Sequence, residues 1–180
     1  CYATDEDGTI LVDNDATLGQ GVDENHQVYA NNYKWSELRE YLTGTFYDTA
    51  FNEDEKANIV LTEVDNSTGS GAASPFACEN TNDYVFALSR YDVTNTEYGF
   101  SSSGSGDPKK AFVVTDYAEA NGVNVISSSG YEGTGAGWLR SPFGGIFGND
   151  ASVVGSGGSV NRYVYYDLDG VVPALQIQLS

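Results

Sequence analysis

The sequence predicts an α+β domain with a few short helices packed on antiparallel sheets and a large share of loop. Three observations carry this reading. Helical periodicity is clearest at Trp35 to Leu42, where Trp35, Leu38 and Leu42 share one face. Elsewhere short apolar runs are bounded by turn chemistry such as Asp7-Gly8, Gly155 to Gly158 and Asp169-Gly170. Long stretches between them are built from Gly, Ser, Asn and Asp, which read as loop.

In chain order, residues 1–12 predict a hairpin around Asp5-Glu6-Asp7-Gly8, followed by a polar surface loop over 13–32. The Trp35–Leu42 helix is expected to stop at Gly44, with Tyr41, Phe46, Ala50 and Phe51 continuing the apolar contact. Asn52 and Glu55 have capping-box spacing and open a short helix to about Asn58. Ile59 to Val64 follows as a strand. Asn66-Ser67-Thr68 is a glycosylation pattern read as accidental.

Tyr84 to Ser89 is almost continuously apolar and predicts a central strand buried on both faces. Ser89 with Asp92 can cap a short helix, residues 99–110 read as a mobile loop, and Thr115 to Gly122 reads as a short capped helix with a glycine stop. Gly137-Trp138-Leu139-Arg140-Ser141-Pro142 reads as a core strand ending at an edge. Trp138 and Arg140 share one face and Val171 to Leu175 is the expected partner. A glycine-rich loop, a meander turning at Gly155 to Gly158, and a final strand through Leu179 complete the chain.

At 180 residues the chain is long enough for one domain with a real core, expected to span 1–180. A net charge of −18 argues against nucleic acid and anionic membranes as partners, and no apolar run is long enough to span a bilayer. The charge suits a protein outside the cell or at its surface. Absence of Met, including at position 1, is read as a processed chain or part of a longer one.

The chemistry-bearing residues are sparse. The single His26 lies in a polar loop, no nucleophile elbow or phosphate cradle occurs, and one His with two distant Cys cannot make a usual zinc site. The expectation is therefore a non-catalytic protein without a resident cofactor. Calcium stays open, because oxygen ligands abound, although no EF-hand spacing occurs. Cys1 and Cys78 are either a disulfide or two separate thiols. Arg39 and Arg140 each sit in an apolar segment. Pairing with carboxylates, Asp83 or Glu55 being candidates, is favoured over an anion-binding pocket, since an unpaired buried charge is costly.

The motifs also form an ordered set. It runs Trp35-Ser36-x-Leu38-Arg39-x-Tyr41-Leu42, Ala50-Phe51-x-x-x-Glu55, Asp83 to Ser89, Thr115-x-Tyr117-Ala118, Trp138 to Pro142 and Gly170-Val171-Val172-Pro173-Ala174-Leu175. This set resembles the bacterial domain of unknown function 6273, a family of secreted or surface modules that looks related to the C-type-lectin-like and formylglycine-generating-enzyme folds. Val172 stands where the family usually has Arg. Cys1 and Cys78 do not match the reactive cysteine pair of the formylglycine-generating enzymes, and the Glu-Pro-Asn calcium motif of sugar-binding lectins is absent.

The resemblance implies a C-type-lectin-like domain whose ligand face is built from loops at about 143–150 and 156–166. These carry Phe143, Phe147, Asn149, Asp150, Asn161, Arg162, Tyr163, Tyr165 and Tyr166 on a glycine-rich frame. Aromatic and Asn side chains on loops suit a carbohydrate or protein ligand. Trp35, Leu38, Arg39, Trp138, Arg140 and Pro173 are expected to be structural. The expected function is extracellular or cell-surface recognition. The alternative is a self-associating structural subunit of a surface filament or layer.

Overall fold

A computed structural model describes residues 3–4, 10–11, 30–73, 76–102, 107–128, 130–143, 148–155 and 158–179, with side chains described from residue 30 onward. The predicted hairpin is present as β1 (Ala3–Thr4) paired antiparallel with β2 (Ile10–Leu11). Most of the polar stretch that follows lies outside the described residues, but its last part does not behave as surface loop. Ala30, Asn31 and Asn32 are buried.

The first helix, α1 (Glu37–Tyr41), starts where Ser36 accepts a hydrogen bond from the Arg39 N–H, leaving Trp35 just outside. It does not end at Gly44. The backbone continues through a wide π turn at Leu42–Phe46 into α2 (Tyr47–Ala50). Packing outweighs the glycine signal there: Leu42 is fully buried and Phe46, Tyr47 and Phe51 lie against the main core, holding the segment in helical register. The Asn52–Glu55 capping box forms in both directions and opens α3 (Glu53–Lys56).

The expected strand at Ile59 to Val64 shrinks to β3 (Thr62–Val64), which pairs antiparallel with β4 (Thr81–Asp83). Asn66 of the glycosylation pattern is buried. The predicted continuous strand at Tyr84 to Ser89 shrinks to β5 (Phe86–Ala87), separated from β4 by a bend at Tyr84 and Val85. Tyr84 is exposed and stacks on Tyr47, whereas Val85 is fully buried. Ser89 and Asp92 cap each other reciprocally, but the turns they open, Asp92–Thr94 and Thr96–Tyr98, are 3-10. The stretch read as mobile contains another such turn at Pro108–Lys110, with Asp107 and Lys110 buried.

The strand β6 (Phe112–Val113) pairs with β7 (Thr134–Gly135), and between them lies the predicted capped helix, α4 (Asp116–Ala120), N-capped by Thr115. The longest sheet is three-stranded. In it β9 (Asp150–Gly155) runs between β8 (Gly137–Pro142) and β10 (Gly158–Tyr163). The β9–β10 hairpin is the predicted meander.

β8 is indeed a buried edge strand, but its partner is β9, not the C-terminal segment. That segment forms β11 (Pro173–Ala174) against β5, meets β8 at its Gly137 end, where Gly170 bridges to it and Val172 packs on it, and bridges again at Ile59–Ile177. Pro173 is exposed, not core, as befits a residue without a ladder donor at the start of a strand.

Two apolar clusters flank β8. Trp138 belongs to the larger one with Tyr33, Leu38, Leu42, Val64, Val85, Phe86, Ala87 and Val153, and Leu139 belongs to a second with Val93 and Val154. The alternation predicted for this strand is thus realised, and both of its faces are covered. Fully burying one such side chain is worth about 1.5–3 kcal/mol.

Candidate functional site

The residues expected on a ligand face divide into two groups. Phe143, Asn149 and Asp150 hold the frame. The Phe143 N–H donates to the Asp150 carbonyl at 2.9 Å, and the Phe143 ring lies 5.5 Å from the Arg90 guanidinium. Asn149 and Asp150 are buried rather than displayed, because the Asn31 backbone and side chain close over them. Phe147 lies outside the described residues.

Asn161, Arg162, Tyr163 and Tyr165 form the displayed group. β10 places Asn161 and Tyr163 on one side of the strand, and the chain turns after Tyr163. Asn161 is exposed and its Nδ2 donates to Asp150 Oδ2 at 3.0 Å, tying the surface to the frame. The rings of Tyr163 and Tyr165 are stacked, 5.2 Å apart and inclined by 5°, and remain 50% and 38% exposed. Arg162 lies 5.5 Å from the Tyr166 ring and 3.5 Å from Asp169. Burial pushes the Asp169 carboxyl above its ordinary pKa despite the nearby Arg162 charge. Tyr166 is half-buried against the main core.

Both arginines of the apolar segments are paired. Arg39 donates through Nε and Nη2 to Asp83 Oδ1 at 3.0 and 2.8 Å, so Asp83 is its partner, while Glu55 is committed to its capping box. Arg140 Nη1 reaches Asp92 Oδ2 at 2.6 Å and the Ala87 carbonyl at 2.9 Å, and Nε reaches the Asp65 carbonyl at 3.2 Å. Asp92 was not named as a partner from the sequence. Its pairing with Ser89 was legible as a cap, and the second lone-pair direction of the same oxygen takes the guanidinium. Trp35 is half-buried beside a small cluster of Ala30 and Val164.

Arg140 also lines a cavity of about 310 Å³ with Phe86, Leu88, Asp92, Tyr98 and Leu175 among its walls. Its carboxylates are committed elsewhere: Asp65 accepts from the Ser67 N–H, which with the Ser67 side chain holds it below its ordinary pKa, and Glu63 accepts from Asn80. The guanidinium is thus a scaffold member that also faces a small cavity.

Among the described residues no group of three or more His, Cys, Asp and Glu is arranged to hold a metal ion. Cys78 is a free, half-buried thiol whose pKa is raised by burial, and Cys1 lies outside the described residues. No helix among the described residues is long and apolar enough to cross a membrane.

No curated protein and no solved structure matches the chain. A family model does, over residues 7–179, which takes in the Arg39 and Arg140 anchors, the cavity that Arg140 lines and the tyrosine surface: the chain belongs to the family described as Domain of unknown function (DUF6273).

Proposed function

We propose that the protein is a non-catalytic recognition module of the bacterial cell surface or extracellular space, C-type-lectin-like in fold. It binds carbohydrate or protein through the surface at the end of β10. One observation carries the reading: Tyr163 and Tyr165 are stacked yet half-exposed, with Asn161 and Arg162 beside them. A pre-stacked aromatic pair loses little side-chain entropy on binding and offers a flat face to a sugar ring or an apolar side chain. The polar neighbours supply donors, and Asn161 is already fixed by Asp150.

The test is a glycan and surface-protein binding screen with the purified domain, repeated with Tyr163→Ala and Tyr165→Ala. Binding that survives both substitutions, or silence across both screens, removes this reading. The second reading, a structural subunit of a surface filament or layer, draws on a second aromatic surface where exposed Tyr41 and Tyr84 flank Phe46 and Tyr47. Light scattering coupled to size-exclusion chromatography decides it, since a strict monomer with and without calcium excludes assembly.

A further inference from the structure

Buried polar atoms are almost always hydrogen-bonded, so an orphaned group calls for an explanation. Four orphans fall on residues at the base of the β9–β10 hairpin or in the segment that closes over it. They are Asn31 Oδ1, Asn32 Oδ1, Asp150 Oδ1 and Ser152 Oγ, each on a residue at least nine-tenths buried. Their placement is fixed by their neighbours. Asp150 and Ser152 project from the same face of β9. Asn161, which sits opposite Ser152, uses its Nδ2 on Asp150 Oδ2 and so leaves Oδ1 over. Asn31 donates its backbone N–H to Gly148 and its Nδ2 to the Asp150 carbonyl, which holds its amide beside Asp150 with the oxygen unpartnered. Asn32 is the next residue along.

The chemistry of these atoms is one-sided. Three are pure acceptors and the fourth is a hydroxyl with one proton to give, so among themselves they can satisfy at most one acceptor. One of them belongs to a buried carboxylate, and among the described residues no arginine or lysine is paired with Asp150. A species that accepts lone pairs and brings positive charge satisfies all four at once. Carboxylate, amide and hydroxyl oxygens are the ligand types of calcium, whose coordination is wide and tolerant, whereas magnesium demands a near-ideal octahedron.

We propose that Asn31, Asn32, Asp150 and Ser152 form a calcium site that braces the hairpin carrying Tyr163. With a single carboxylate the affinity belongs to the weak class typical of extracellular modules, a Kd of about 0.1–1 mM. The proposal stands whatever the tyrosine surface binds.

The experiment uses the full chain after EDTA treatment and dialysis. Calcium at about 10 mM is expected to raise Tm by about 3–6 °C, from mass action on a weak site. Magnesium, and sodium at matched ionic strength, are expected to give markedly less. Terbium should give tyrosine-sensitised emission that calcium competes away, because Tyr163 lies directly across the ladder from Asp150. Asp150→Asn should abolish the calcium shift while leaving the metal-free Tm unchanged or higher, since it removes an uncompensated buried charge. Should that variant not fold, Ser152→Ala, which should lessen the shift, and Asn32→Asp, which should strengthen calcium binding several-fold, read the same site. Ordered water could satisfy the same oxygens without responding to calcium. An unchanged wild-type Tm without terbium emission, or a calcium shift that persists in Asp150→Asn, overturns the proposal.

Discussion

Arg140 Nη1 and Asp92 Oδ2 lie 2.6 Å apart in an environment where the arginine side chain is only 6% exposed. The same guanidinium also holds the Ala87 and Asp65 carbonyls. One side chain on β8 therefore ties together the segment after β3, the strand β5 and the 3-10 turn beginning at Asp92. Removing it takes a donor from two carbonyls and leaves the Asp92 carboxylate with the Ser89 N–H but no charge partner. Arg140→Ala is expected to cost about 3–5 kcal/mol, seen as a lower denaturation midpoint with unchanged slope. Loss of ligand binding at unchanged stability would show instead that Arg140 acts through the cavity it lines.

The Arg39–Asp83 pair is bidentate, and the Asp83 side chain is fully buried where it also accepts from Thr81. Arg39 is partly solvated, which tempers what the pair contributes. A double-mutant cycle with Arg39→Met and Asp83→Asn is expected to give a coupling energy of about 1–3 kcal/mol. Additive single effects would mean that the pair is a contact without net stabilisation.

Gly137 starts β8 where the Gly170 segment crosses it. A Cβ there would lie 2.6 Å from Val172 Cγ2 and 2.9 Å from Phe112 Cδ2. Gly137→Ala is expected to destabilise by about 1–3 kcal/mol through overpacking, without altering the tyrosine surface. A double variant with Val172→Ala should recover part of the loss, and failure to recover would point to Phe112 as the atom that cannot give way.

Acid stability carries a definite sign. Asp65, held by Ser67, and Asp107, held by the Ser101 and Lys109 backbone N–H groups, both have pKa values lowered from 3.8. Each contributes stability that is present above 3.8 and lost as pH falls through its lower folded-state value. Asp169 is raised, so it acts in the opposite sense, its charged form being disfavoured in the fold as pH rises past 3.8. The Tm gap between wild type and Asp65→Asn should be greatest at neutral pH and close in acid. Asp169→Asn should gain relative to wild type on going from acid to neutral pH. At the alkaline end, burial raises the Tyr33 pKa well above 10.0, so unfolding is favoured once the pH passes 10.0, where the exposed phenol ionises. Parallel pH profiles for wild type and the Asp variants would contradict these assignments.

Much of the local structure was legible because its causes are local. The Asn52–Glu55 box, the Ser89–Asp92 cap and the Thr115 cap each need only residues a few positions apart, and each forms. The β9–β10 hairpin follows from glycines between two alternating runs, and the burial of Trp138 and Arg140 from their place in an apolar strand. The need of a buried guanidinium for a carboxylate offered Asp83 and Glu55 as partners for the two arginines, and the structure pairs Asp83 with Arg39.

Other features depend on which distant segments meet. Gly44 reads as a helix stop until Leu42 and Phe51 are packed on the core. The partner of β8 is β9 rather than the Val171 segment, because β5 pairs with that segment and leaves it meeting β8 only near Gly137. Asn149 and Asp150 read as loop residues on display, and they are buried because Asn31, more than a hundred positions earlier, closes over them. Capping and alternation specify the class and the short elements, whereas the aromatic surface was placed by the family resemblance. Strand partners, and whether an oxygen-rich loop faces solvent or the interior, follow from long-range closure, to which local propensity is blind.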